Sequence, residues 1–72
     1  MARKTTAAAQ HLTDTFQVEP TTADQLATRW ATNRAASLAE NLDTRRYIAQ
    51  DLLTNPDQED LEGLRAWYRR GL

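Results

Sequence analysis

The residues that could perform nucleophilic catalysis are few in this chain. His11 is its only histidine, Ser37 is its only serine, and it contains no cysteine. A serine nucleophile needs a base within hydrogen-bonding distance, so a catalytic pair would have to consist of these two residues. One residue of each type, with no third member indicated by the spacing, predicts a surface histidine and a serine on a helix face rather than a catalytic pair.

Acidic residues near the C-terminal end form the second group with chemical capacity. They are Asp57, Glu59, Asp60 and Glu62. Calcium loops need a glycine and oxygen ligands at fixed alternating spacing, which this run lacks. Zinc sites need thiolates and imidazoles, of which the chain has one. Acidic residues in the first turn of a helix instead complement the helix dipole. The sequence therefore predicts no metal site.

The two glycines provide no phosphate-binding loop. Gly63 and Gly71 are isolated from each other, whereas such loops contain glycines at close, fixed spacing. Gly71 falls where a helix would end, which is a frequent position for glycine. Without a nucleophile pair, a metal site or a phosphate loop, we expect no cofactor and no small-molecule substrate, and we expect that the protein is not an enzyme.

The elements that position these side chains are predicted to be helices. Alanine, leucine, glutamine and arginine are abundant and favour helix, and Val18 and Ile48 are the only valine and isoleucine. We predict one all-α domain over residues 1–72, a small bundle of three to four helices, with residues 1–6 flexible. The predicted helices span about 5–16, 22–42, 44–54 and 56–70.

Three polar residues predict where helices begin. Thr22 is followed three residues later by Gln25, which is the spacing of a capping box. Asp43 is the expected N-cap of the third helix, unless residues 41–43 form a bend in one long helix. Asn55 is a favourable N-cap, and it places the following proline at the first helical position, where the missing N–H is not needed.

The second predicted helix carries an unusually wide apolar arc. Its members are Leu26, Ala27, Trp30, Ala31, Ala35, Leu38, Ala39 and Leu42. A surface helix needs an apolar stripe of only about 100°, so this helix is expected to be central and to be contacted on several sides. Arg34 lies within the arc. Its charged end reaches water at the edge, or it pairs with a carboxylate, or this face meets a partner.

Aromatic and arginine side chains are the candidate partner-binding residues. They are Trp30, Arg34, Trp67, Tyr68, Arg69 and Arg70. Tryptophan, tyrosine and arginine dominate the binding energy of protein interfaces. In a domain this small the two tryptophans are also expected to contribute to the core.

A second hypothesis concerns DNA. The capped start, the Leu26-Ala27 pair and the bulky Trp30 resemble the first helix of a helix-turn-helix. The resemblance implies a break near residues 31–33 within 22–42. The candidate nucleic-acid contacts are Asn33, Arg34, Asn41, Arg45 and Arg46.

Length and charge favour a protein-interaction role. The chain has 72 residues and a net charge of −1, whereas nucleic-acid-binding domains are usually strongly basic. A domain of this size buries only about 60% of its unfolded surface, so a partner would add needed stability.

No apolar run approaches the roughly 20 residues of a membrane span, and the cytoplasm is the expected location. The leading hypothesis is a small helical interaction or regulatory protein that binds a protein partner or itself; a structural subunit of a larger assembly is the third hypothesis.

Overall fold

Four helices make up most of the chain. The computed structural model describes residues 5–71, and within that range no β-strand is present. The helices are α1 (Ala7–Phe16), α2 (Pro20–Leu38), α3 (Leu42–Thr54) and α4 (Gln58–Arg69). The predicted all-helical bundle is therefore confirmed. Residues 1–6 are predicted to be flexible, and residues 1–4 of this segment lie outside the described residues.

The first two helices begin at different points from those predicted. α1 starts at Ala7 because the hydroxyl of Thr6 accepts a hydrogen bond from the backbone N–H of Ala9 at 3.2 Å. α2 starts at Pro20, and the predicted capping of this helix by Thr22 is wrong. Proline suits the first helical position because its φ is already helical and its missing N–H leaves no unsatisfied donor there.

α2 is one unbroken helix through residues 31–33. The chain is helical from Pro20 to Leu38, and Ala31 in the middle is fully buried. The helix-turn-helix predicted within 22–42 is therefore wrong, since its two helices would require a turn at this point. The sequence lacks a glycine or proline there, and neighbouring alanines continue the helix at little cost.

The second helix ends four residues earlier than predicted. The backbone at Ala39 is extended, with φ −149° and ψ 150°. Asn41, rather than Asp43, is the N-cap of α3: its Oδ1 accepts hydrogen bonds from the N–H groups of Asp43 at 2.8 Å and Thr44 at 3.2 Å. The capping asparagine thus separates α2 from α3, whereas the sequence also allowed one long helix with a bend at residues 41–43.

α4 begins with a reciprocal cap. The Asp57 carboxylate accepts from the N–H of Asp60 at 2.8 Å, and the Asp60 carboxylate accepts from the N–H of Asp57 at 3.1 Å. The prediction that Asn55 caps this helix, with a proline as its first residue, is wrong because Asp57 forms the complete pair of bonds. At the other end Gly71 has a φ of +86°, as a glycine after a helix commonly does.

Alanine dominates the core. The buried residues are Ala8, Ala9, Leu12, Ala23, Ala27, Trp30, Ala31, Ala35, Leu52 and Leu64. α2 contacts each of the other three helices, which confirms its predicted central position. Small side chains allow helix axes to approach closely.

The apolar arc predicted for the second helix is not covered at its end. Leu38 is 54% exposed, and Leu42, which belongs to α3 in the structure, is 65% exposed. Within residues 5–71 no helix has both the length and the apolar character needed to cross a membrane.

Candidate functional site

A groove of about 580 Å³ lies between α2 and α4. Its lining residues are Trp30, Asn33 and Arg34 from α2, and Glu59, Asp60, Glu62, Gly63, Trp67 and Arg70 from the segment of α4. Four of the six predicted partner-binding residues, from positions far apart in the sequence, thus converge on one surface.

Two tryptophans belong to the lining of the groove. Trp30 is 5% exposed and belongs to the core, while Trp67 is half-buried and packs against that core. Gly63 lines the same groove, and a Cβ built on it would meet no other heavy atom within 4 Å. A side chain at this position would therefore extend into open space.

Charged side chains make up much of the rest of the lining. Arg34, Arg70, Glu59 and Glu62 are exposed, and none of them forms an ion pair with another residue in the range 5–71. Asp60 differs, because its carboxylate is used in the cap of α4. Within the described residues, Arg34 therefore does not pair with a carboxylate, which was one of the three explanations for its position. Aromatic residues and arginine are enriched at protein interfaces.

Tyr68 and Arg69 lie on another side of α4. The rings of Tyr68 and Phe16 are stacked, with centroids 4.4 Å apart and planes 25° apart. The guanidinium carbon of Arg69 lies 5.6 Å from the centre of the Phe16 ring, within the range of a cation–π interaction. Both residues therefore attach α4 to α1, and the structure does not bring them to the groove.

The candidate nucleic-acid contacts have different local surroundings. Asn33 and Arg34 line the groove, whereas Asn41 caps α3. Arg45 donates a hydrogen bond from its Nε to the carbonyl oxygen of Ala39 at 2.7 Å, so it satisfies the C-terminal end of α2. Arg46 is exposed on α3. The structure assigns two of these five residues a local role in the turn between α2 and α3.

The two candidate catalytic side chains have separate partners. Arg65 donates from Nη1 to Nε2 of His11 at 2.9 Å. Ser37 donates its hydroxyl to the backbone oxygen of Arg34 at 2.7 Å. Burial lowers the pKa of His11, and the charge of Arg65 lowers it further, against an opposing effect of Asp14. No group of three histidine or acidic residues in the described part of the chain is placed to hold a metal ion.

Gly63, Glu59 and Glu62 are groove residues that the sequence analysis did not predict to bind a partner. A glycine inside a helix costs about 1 kcal/mol relative to alanine, so its presence often has a packing or functional reason. This signal could have identified Gly63. Glu59 and Glu62 carried no comparable signal, because acidic residues near the start of a helix are explained by the dipole alone.

No model of a known protein family matches this chain, and neither does any curated protein or solved structure. Its function is therefore inferred from the geometry and charges of the groove.

Proposed function

We propose that this chain is a non-enzymatic helical interaction protein that binds a protein, either a second copy or a different chain, through the groove between α2 and α4. The observation that carries the proposal is the convergence of Trp30, Arg34, Trp67 and Arg70 on that groove. The cytoplasmic location and the regulatory role expected from the sequence stay predictions.

The chemistry of the groove supports a protein partner. A tryptophan face that is already partly desolvated gives a large apolar contact at a small cost in side-chain entropy. Arg34 and Arg70 form no ion pair within residues 5–71, so a partner carboxylate could bind them without displacing an internal partner. The groove offers these two groups on opposite walls, one from α2 and one from the end of α4.

A non-enzymatic role is supported by the roles of the chemically capable residues. His11 and Ser37, the members of the only Ser–His combination in the sequence, have hydrogen-bond partners in different parts of the bundle. Neither residue lines the groove. The proposed binding surface thus contains hot-spot residue types and no nucleophile with an adjacent base.

Photocrosslinking from a groove residue tests the proposal. We replace Asn33 by the photoreactive residue p-benzoylphenylalanine, in the intact chain and in the cells that normally produce it. Asn33 is exposed and lines the groove, so the new side chain reaches the groove without filling the space beside Gly63. We expect covalent adducts to a protein, identified by mass spectrometry of the crosslinked peptide. The control carries the same replacement at Ala36, which is exposed on α2 and does not line the groove.

The purified adduct partner then provides a quantitative measurement. Gly63→Leu adds a side chain inside the groove and should weaken binding of that partner by about tenfold or more, because buried interface cores lose affinity when packing is obstructed. Ala36→Leu adds the same type of side chain outside the groove and should leave the affinity unchanged. Equal adducts from positions 33 and 36, or equal affinities for both leucine variants, would contradict the proposal.

A further inference from the structure

One exposed stripe of α4 has an internal symmetry, and three of its four residues also line the groove. Glu59, Gly63, Ala66 and Arg70 are spaced by four, three and four residues, so they lie along one stripe of the helix. All four are exposed. The stripe is symmetric about its centre: two small residues lie in the middle, and the charged residues at its ends have opposite signs.

We infer that the occupant of the groove is a second copy of this chain, with the two α4 helices antiparallel about a two-fold axis near the centre of the stripe. This inference rests on the proposed function and names its partner. In such a pairing Glu59 faces Arg70 of the second copy, and Arg70 faces Glu59 of the second copy. Two-fold contacts require one surface to be complementary to itself, and this surface has that property.

Charge repulsion excludes a parallel arrangement of the two α4 helices. A parallel pair would place each Glu59 beside Glu59 of the second copy and each Arg70 beside its equivalent, which is repulsive at both ends. The charges involved are unpaired in the isolated chain, since neither residue forms an ion pair within residues 5–71. The antiparallel pair therefore gains two ion pairs without breaking an internal one.

The centre of the stripe permits the approach that such pairs need. Interaxial distances of packed helices depend on the side chains at the contact point and fall to about 8 Å where these are small. At Gly63 a Cβ would meet no heavy atom of its own chain within 4 Å. The second helix can therefore enter the groove beside Trp67, and the exposed part of Trp67 gains a covering layer that the monomer lacks.

A charge exchange tests the pairing directly. Sedimentation equilibrium of the full chain from micromolar to millimolar concentration should show a reversible monomer–dimer equilibrium. Glu59→Arg alone places arginine opposite arginine, and Arg70→Glu alone places glutamate opposite glutamate, so each variant should dimerise about tenfold or more weakly. An equimolar mixture of the two variants restores both attractive pairs and should recover the dimer.

Two further variants separate loss of the interface from loss of the fold. Arg46→Glu reverses an exposed charge on α3 and should dimerise as the unmodified chain does. Gly63→Leu obstructs the centre of the stripe, so it should abolish the dimer while circular dichroism shows at least the original helix content.

The outcomes distinguish this inference from the proposed function. An unmodified chain that is monomeric up to millimolar concentration, or a mixture of the two charge variants that stays monomeric, would overturn the antiparallel dimer. If the photocrosslink at position 33 then identifies a different protein, the groove still binds a partner and only its identity as a second copy is wrong.

Discussion

His11 and Arg65 connect α1 to α4 through a side-chain hydrogen bond that depends on the protonation of the imidazole. Arg65 donates to Nε2 of His11 at 2.9 Å, so this nitrogen must carry a lone pair and the ring must be neutral. Burial lowers the pKa of His11, and the adjacent guanidinium lowers it further, while Asp14 opposes both effects. The interaction therefore stabilises the folded chain only while His11 is unprotonated.

The sign of the pH dependence follows from this lowered pKa. In the unfolded chain the histidine has its ordinary pKa of about 6.5. As the pH falls below that value the unfolded state binds a proton more readily than the folded state, so the free energy of unfolding decreases until the folded pKa is passed. The slope disappears about one pH unit above 6.5, where the histidine is unprotonated in both states. We expect urea unfolding monitored by circular dichroism to show this decrease between pH 7.5 and pH 5.5.

The control for this prediction is His11→Gln, whose side-chain oxygen can also accept from Arg65 but does not titrate. The slope between pH 7.5 and 5.5 should become smaller in this variant. A pKa of 6.5 or higher for His11, measured by NMR in the folded protein, would contradict the explanation.

Residue type alone predicts which side chains favour an interface, and the fold decides which of them lie together. Trp30, Arg34, Trp67 and Arg70 have types that favour interfaces and line one groove, and their binding role stays a prediction. Tyr68 and Arg69 also have such types, but each residue along a helix is rotated by about 100°, which directs them to Phe16 instead. The partner of His11, 54 positions away, could not be predicted without the three-dimensional packing.

At the level of the element, α4 depends on its N-terminal cap. Asp57 accepts from the N–H of Asp60, and Asp60 accepts in return from the N–H of Asp57. Asp57→Ala removes one of these bonds and also a negative charge at the positive end of the helix dipole. We expect it to lower the free energy of unfolding by about 1 kcal/mol, measured by urea titration.

The matched control is Asn55→Ala, because Asn55 is the residue that the sequence favoured as the cap. Asn55 is exposed, and its backbone N–H continues the hydrogen bonding of α3 by donating to Asp51 at 2.7 Å. Its replacement should change the free energy of unfolding by less than about 0.5 kcal/mol. If Asn55→Ala were the more destabilising change, the helix would begin earlier than the structure places it.

Helix ends were predicted less well than helix existence, and the reason is competition between local signals. Thr22, Asp43 and Asn55 are all acceptable caps by type, yet the residues at the N-cap positions are Glu19, Asn41 and Asp57. At each helix start the competing cap positions differ in their local hydrogen bonds and backbone angles. The resulting difference in free energy is only about 1 kcal/mol. Apolar periodicity places a helix over many residues, but it does not resolve a choice of two or three positions at its end.

At the level of the whole molecule, stability is shared unequally among the helices. α1 and α2 pack through fully buried alanines, whereas α4 makes the least contact with the rest of the bundle. Leu64 is the only fully buried side chain of α4, and it anchors a helix that also forms one wall of the groove. The groove and the proposed dimer surface therefore lie on the element that is held by the fewest core contacts.

Leu64→Ala tests this distribution. Removing a buried leucine side chain costs about 2–5 kcal/mol, and a chain of 72 residues has a total stability of only about 4–11 kcal/mol. We expect α4 to detach at lower urea concentration than the rest of the bundle unfolds. Trp67 on α4 and Trp30 on α2 distinguish the two events when each is measured by fluorescence in a variant with the other changed to phenylalanine.

The control for the core prediction is Leu42→Ala, in which the same side chain is removed from a position that is 65% exposed. It should change the free energy of unfolding by less than about 0.5 kcal/mol, because little apolar surface returns to water. If Leu64→Ala leaves the Trp67 and Trp30 transitions coincident, α4 unfolds together with the bundle. The groove would then be a rigid surface of the fold, and its ligand would bind without any preceding movement of α4.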